Sequence, residues 1–109
     1  MTTEQETAEA AEAAGIDFAA APPEVVAAEI ERLLRAAFAP SRFELIDESD
    51  DHKGHGGWRP GGATHFRLSL AAPAFAGQSR IARQRAVMRV LKDALEQRVH
   101  ALALSIEAE

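Results

Sequence analysis

Cysteine is absent from all 109 residues. Its absence excludes a disulfide framework and a thiol nucleophile, and leaves any iron or zinc to histidine, carboxylate or a partner's sulfur. Lysine and arginine are absent from residues 1–31, which carry eight acids from Glu4 to Glu31. The rest of the chain holds twelve bases against nine acids, so the net charge of -5 divides into an acidic front and a mildly basic body. Charge alone does not make such a chain a strong nucleic-acid binder. No apolar run is long enough to span a bilayer, and the N-terminus lacks the basic n-region and continuous apolar stretch of a signal peptide. A soluble, cytoplasmic protein with no membrane partner is expected. Enzyme motifs are missing too. Ser49, Ser69, Ser79 and Ser105 lack a Gly-x-Ser-x-Gly setting, and there is neither a Gly-Lys phosphate loop nor a dinucleotide fingerprint. No catalytic residues are assigned and no enzyme is expected.

With 47% hydrophobic and 27% charged residues, the composition is that of one folded domain. Residues 1–23, rich in Ala and Glu and closing on Pro22-Pro23, read as a disordered acidic tail before a domain at 24–109. Val26, Ile30, Leu33, Leu34 and Ala37 recur at three to four residues and predict a helix, with Pro23 in its first turn and Pro40 stopping it. Phe43 and Leu45 alternate with Glu44 and Ile46, a short strand. Ser49 to Ala63 is a long loop with five glycines. Phe66, Leu68 and Leu70, alternating with His65, Arg67 and Ser69, give a second strand. After a turn at Pro73 to Gly77, a helix is predicted over Gln78 to Arg98. Its inward side is Val87, Met88, Leu91, Ala94 and Leu95, its outward side Arg85, Arg89, Lys92 and Glu96. Val99 to Glu107 forms the third strand. The order αββαβ predicts an α+β two-layer sandwich: a three-stranded mixed sheet, helices on one face, with strands two and three parallel through a crossover helix.

The stretch ESDDHKGHGGW places His52 and His55 three residues apart in the long loop. They can meet one metal ion if the glycines let the loop fold back, although a solvated connection is the plainer reading. His100 stands at the entry to strand three, where a lone histidine most simply caps a helix end. If strands two and three are parallel, the loop returns beside the start of strand three, and His100 shares an edge of the sheet with HKGH. His65, opposite in parity to Phe66, is expected to face away from the core and ranks third as a ligand. Arg85, Arg89 and Lys92 make a basic stripe, without the interleaved aromatics of single-strand binders.

Five segments in succession, FELIDES, HKGH, THFRLSL, AFAGQSRIARQR and VHALALSI, resemble the BolA-like family from about Glu24 to the end. The resemblance implies a fold related to the type II KH domain, with a small extra helical turn before the second long helix. It also implies no Gly-x-x-Gly loop, and the chain has Ala76-Gly77-Gln78-Ser79 there, which disfavours RNA binding through that turn. Members of the family partner monothiol glutaredoxins and share a bridging 2Fe-2S cluster, the partner supplying its cysteine and a glutathione thiolate. The matching ligands are His100 and either His52 or His55, with His65 less suited. Alone, such a protein holds no cofactor and is a monomer or weak homodimer. The family's second role is transcription regulation, for which Arg80, Arg83, Arg85, Arg89 and Lys92 are the candidate DNA contacts. Gln84 stands where the family commonly has histidine, on the expected core side of the helix.

Overall fold

The computed structural model describes residues 15–49 and 62–108. His52 and His55 lie outside these residues, as do residues 1–14 of the acidic front.

Helix α1 (Pro23–Phe38) begins on a proline, whose missing N–H costs nothing in a first turn, and carries Glu24 in that turn and Arg35 in the last, both suited to the helix dipole. It ends at Ala39, which takes the left-handed conformation (φ 46°) and donates its N–H to the Arg35 carbonyl. Val26, Ile30, Leu33 and Leu34 are its buried stripe. Strand β1 (Arg42–Asp47) runs antiparallel to β2 (His65–Ala71), and β3 (Ala101–Glu107) runs parallel to β2 on its other side, giving the order β1-β2-β3. The register aligns Phe43 with Leu70 and Ile106, and Leu45 with Leu68 and Leu104. These rows face the helices and join Val26, Ile30, Leu33 and Leu34 in one core. The expected α+β sandwich with a mixed sheet is therefore what forms. A 3-10 turn at Pro73–Phe75 seats Phe75 in the core, its ring 4.7 Å from that of Phe38. It is the extra helical turn that the family resemblance implies.

The helix predicted over 78–98 divides at Leu91 (φ -97°, ψ 18°) into α2 (Arg80–Val90) and α3 (Lys92–Gln97). Ser79 caps α2, its hydroxyl accepting from the Ala82 N–H at 3.1 Å. The buried stripe is Val87, Leu91 and Ala94. Met88, assigned inward from sequence, is 45% exposed, because one residue's rotation of about 100° carries it from Val87 to the margin of the stripe.

The packed body also begins earlier than the composition indicates. Phe18 is fully buried in the core cluster, and residues 17–21 turn on Asp17, whose carboxylate accepts from the Ala19 N–H at 3.0 Å. The Gly15 N–H donates to Glu29 Oε2 at 2.9 Å, and Arg32 Nη2 reaches the same oxygen at 2.6 Å. An Ala/Glu-rich segment reads as a tail, but one aromatic in it is enough to anchor it. Residues 15–22 belong with the body rather than with a tail ending at Pro23.

Glu29 carries a pH prediction. The Arg32 guanidinium, with help from the Gly15 N–H, holds its carboxyl below the ordinary value of 4.5 against an opposing effect of burial. A depressed folded-state pKa contributes stability that is present above the unfolded value and is lost as pH falls through the folded one. Unfolding midpoints measured across the acid range should fall below about pH 4.5, and Glu29→Gln should flatten part of that slope.

Candidate metal centre

The site is assembled where the β1–β2 loop returns beside the start of β3. Asp47, the last residue of β1, closes the loop's base. Its Oδ1 accepts from the Ser49 N–H at 2.9 Å and from the Ser49 hydroxyl, and its Oδ2 accepts from the Ala63 N–H at 3.0 Å. Ser49 Oγ in turn accepts from the Thr64 N–H at 2.9 Å and the His65 N–H at 3.3 Å. Gly62 (φ 71°) and Ala63 (φ 60°) are both left-handed. At Ala63 that conformation costs about 1–2 kcal/mol, offset by the bond to Asp47. Ser49 and Thr64 are 2% and 0% exposed, so the clip forms a dry polar lock on the two ends of the loop.

Thr64 passes this order on to His100. Its carbonyl accepts from the His100 N–H at 2.7 Å and the Ala101 N–H at 3.1 Å, a junction that exists only because β2 and β3 are parallel neighbours. The His100 main chain is thereby fixed while its side chain remains exposed. His65 differs from expectation. Alternation assigns it to the solvent side, yet it is only 5% exposed, with Nδ1 within hydrogen-bond distance (2.9 Å) of Thr64 Oγ1 and its ring centroid 5.7 Å from that of His100. The first residue of a strand sits among the strand-end turns rather than on the open sheet, and there parity does not govern burial. Thr64 hydrogen-bonds one ring nitrogen of His65, and such a partner fixes which nitrogen presents itself to a ligand.

Sequence reasoning passed over Arg98, two residues before His100. It is 7% exposed, and Nη1 donates to the carbonyls of Phe18 (2.8 Å), Ala21 (2.8 Å) and Ala19 (3.4 Å) while Nε donates to Gly62 O (3.0 Å). One guanidinium ties the N-terminal turn to the loop return and to the segment entering β3. Asp47, Ser49 and Thr64 were also missed. The one available signal was Asp47-x-Ser49, the spacing at which an aspartate accepts from the backbone two residues on.

The five basic residues separate into two groups. Arg85, Arg89 and Lys92 are exposed along α2 and the start of α3. Arg80 and Arg83 instead line a cleft between α2 and β3 together with Gln84. Arg83 is turned inward, donating to Gln78 O and Ile106 O, both at 3.2 Å. Gln84 is half-buried there. Among the described residues no three His, Asp or Glu side chains converge as a metal cage, and no helix is long and apolar enough to cross a membrane.

Residues 34–109 match the family model described as BolA-like protein. The chain belongs to the BolA-like family. It is 46% identical over 79 residues to an uncharacterized protein in the cobS 5' region of Sinorhizobium sp., covering 69% of this chain and 82% of that one. It is 39% identical over 75 residues to the DNA-binding transcriptional regulator BolA of Escherichia coli (strain K12), covering 69% and 68%. The BolA domain of SufE1 from Arabidopsis thaliana superposes with a TM-score of 0.67 at 32% identity, covering 74% of this chain and 88% of that domain. In this BolA-like chain the match begins at Leu34, inside α1. Phe18 and the turn held by Arg98 therefore lie N-terminal to the family region, while Asp47, His65, Arg98 and His100 lie within it.

Proposed function

We propose that this BolA-like protein is a non-enzymatic cytoplasmic adaptor that binds a monothiol glutaredoxin and co-ligates a bridging 2Fe-2S cluster, serving iron-sulfur trafficking or iron-responsive regulation. The observation that carries the reading is His100, an exposed imidazole whose backbone is locked to Thr64, beside His65 and beside the return of the loop that bears His52 and His55. A donor set of imidazoles in a chain without cysteine suits a cluster whose thiolates come from the partner and its glutathione. Histidine in place of thiolate on one iron raises a cluster's potential, and only neutral imidazole can ligate. The role of this chain's residues is to hold one surface imidazole on a fixed backbone and to deliver a second from a loop clamped at both ends.

Mixing the protein with a monothiol glutaredoxin, glutathione, iron and sulfide should give a coloured complex whose visible absorption is altered or lost with His100→Ala. The variant should keep its unfolding free energy within about 0.5 kcal/mol of wild type, as an exposed substitution does. An unchanged spectrum removes His100 as a ligand. Comparing His52→Ala, His55→Ala and His65→Ala in the same assay identifies the second imidazole.

The exposed stripe of Arg85, Arg89 and Lys92, together with the similarity to the Escherichia coli DNA-binding transcriptional regulator, supports a second reading as a DNA-binding regulator. DNA affinity should then fall steeply with salt, and Arg85→Ala or Arg89→Ala should each reduce the salt slope by about one. Undetectable binding at low salt removes this reading.

A further inference from the structure

β3 is an edge strand of the sheet, and its pairing shows which of its backbone groups are uncommitted. The Ala101 N–H donates to Thr64 O at 3.1 Å and the Glu107 carbonyl accepts from the Ala72 N–H at 3.0 Å. Odd-numbered residues of β3 thus direct both main-chain groups toward β2, and Leu102, Leu104 and Ile106 direct theirs to the outer edge. Their side chains are only half-buried. Beside this edge runs the cleft of about 260 Å³ walled by Arg80, Arg83 and Gln84 of α2. Its one acid, Glu107, is held across the sheet by Arg42 at 2.9 Å, which leaves the two guanidinium groups to set the charge of the cleft. Arg83 covers the Ile106 carbonyl at 3.2 Å, the kind of charged guard that natural edge strands use against unwanted pairing.

We propose that the outer edge of β3 is a docking site for an extended acidic segment of a partner protein, which adds to the sheet as a fourth strand and places its carboxylates on Arg80 and Arg83. Outward N–H and C=O groups recur at every second residue of β3, which is the repeat of another strand. A nucleic-acid backbone would accept from the N–H groups and leave the carbonyls of Leu102 and Leu104 without donors. A second copy of the chain, paired antiparallel about Leu104, would set Leu102 and Ala103 opposite Ile106 and Ser105 and bring no carboxylate to either arginine. Charge and hydrogen bonding together therefore favour an acidic strand. The site shares no residue with the histidine centre, so each stands or falls separately.

The test is an amide NMR titration of the full chain with a blocked heptapeptide of alternating valine and glutamate. The amides of Leu102 and Leu104 should shift and exchange more slowly, with those of Arg67 and Leu68 in the central strand unchanged. Arg80→Ala, at an exposed position, should weaken the effect by about three- to tenfold, and Arg83→Ala should do the same in a chain that still gives folded spectra. A lysine counterpart of the peptide should have no effect. The proposal is overturned if the acidic peptide shifts nothing up to about millimolar concentration, or if the lysine peptide acts equally well. It is also overturned if raising the protein concentration alone slows exchange at Leu102 and Leu104, which assigns the edge to a second copy. Shifts produced by an oligothymidylate and not by the peptide would assign it to nucleic acid.

Discussion

Phe18→Ala is expected to destabilise the protein by about 3–5 kcal/mol, the usual cost of truncating a fully buried phenylalanine. The side chain is 0% exposed and lies in the same cluster as Ile30, Leu33, Phe66 and Val99. Removing it leaves a cavity in that cluster and leaves the N-terminal turn only the partly buried Ile16 and Ala21 as apolar contacts with the core. Urea unfolding followed by circular dichroism reads the loss directly, and a midpoint unchanged from wild type would mean that the segment is not part of the cooperative unit. The result matters beyond stability because the family match starts only at Leu34. A large effect from residue 18 shows that residues N-terminal to that match are part of the core.

Arg98→Ala is expected to cost about 2–4 kcal/mol, since charge-assisted bonds to buried acceptors are worth more than neutral ones and their loss leaves the acceptors unpaired. Phe18, Ala21 and Gly62 each lose a donor at 3.0 Å or closer. Lysine keeps the charge but not the planar fork, so Arg98→Lys should recover only part of the loss. The effect should also be local. Amide exchange at Ala63, Thr64 and His100 should accelerate more than at Arg67 or Leu68 in the central strand, because Arg98 ties the loop return to the segment entering β3. Uniform acceleration across the sheet would reduce Arg98 to a general contributor to stability.

Much of the architecture was legible because period and parity carry it. Phe66, Leu68 and Leu70 alternate cleanly, and the crossover helix favours a parallel β3, so the meeting of the loop return with His100 follows from topology alone. What stayed hidden has a common physical cause. Phe18 sits in a composition that predicts no core, and its burial depends on surfaces assembled from α1 and the sheet. Nothing in the local pattern around Arg98 marks it, because the carbonyls it binds come from Phe18, Ala19, Ala21 and Gly62, far away in sequence. His65 obeys strand parity in sequence and escapes it in space, since it opens the strand beside Ser49 of the loop base and His100. Met88 shows the same limit in a helix, where a stripe centred a little to one side turns an inward residue outward. Local pattern specifies elements and their pairing, whereas contacts between strand ends and the chain's own terminus arise only in the assembled fold. The choice between His52 and His55 lies outside the described residues and rests on the ligand variants.

The central claim is that an imidazole of this chain, His100 first, is bound to iron in a cluster shared with a glutaredoxin. Its most direct test is pulsed electron paramagnetic resonance on the reduced 2Fe-2S complex, prepared with the protein labelled with nitrogen-15 histidine. Strong hyperfine coupling to the labelled nitrogen, diminished with His100→Ala, is the predicted result. A cluster that forms in the mixture yet shows no strongly coupled histidine nitrogen would be held by thiolates alone, and would contradict the account.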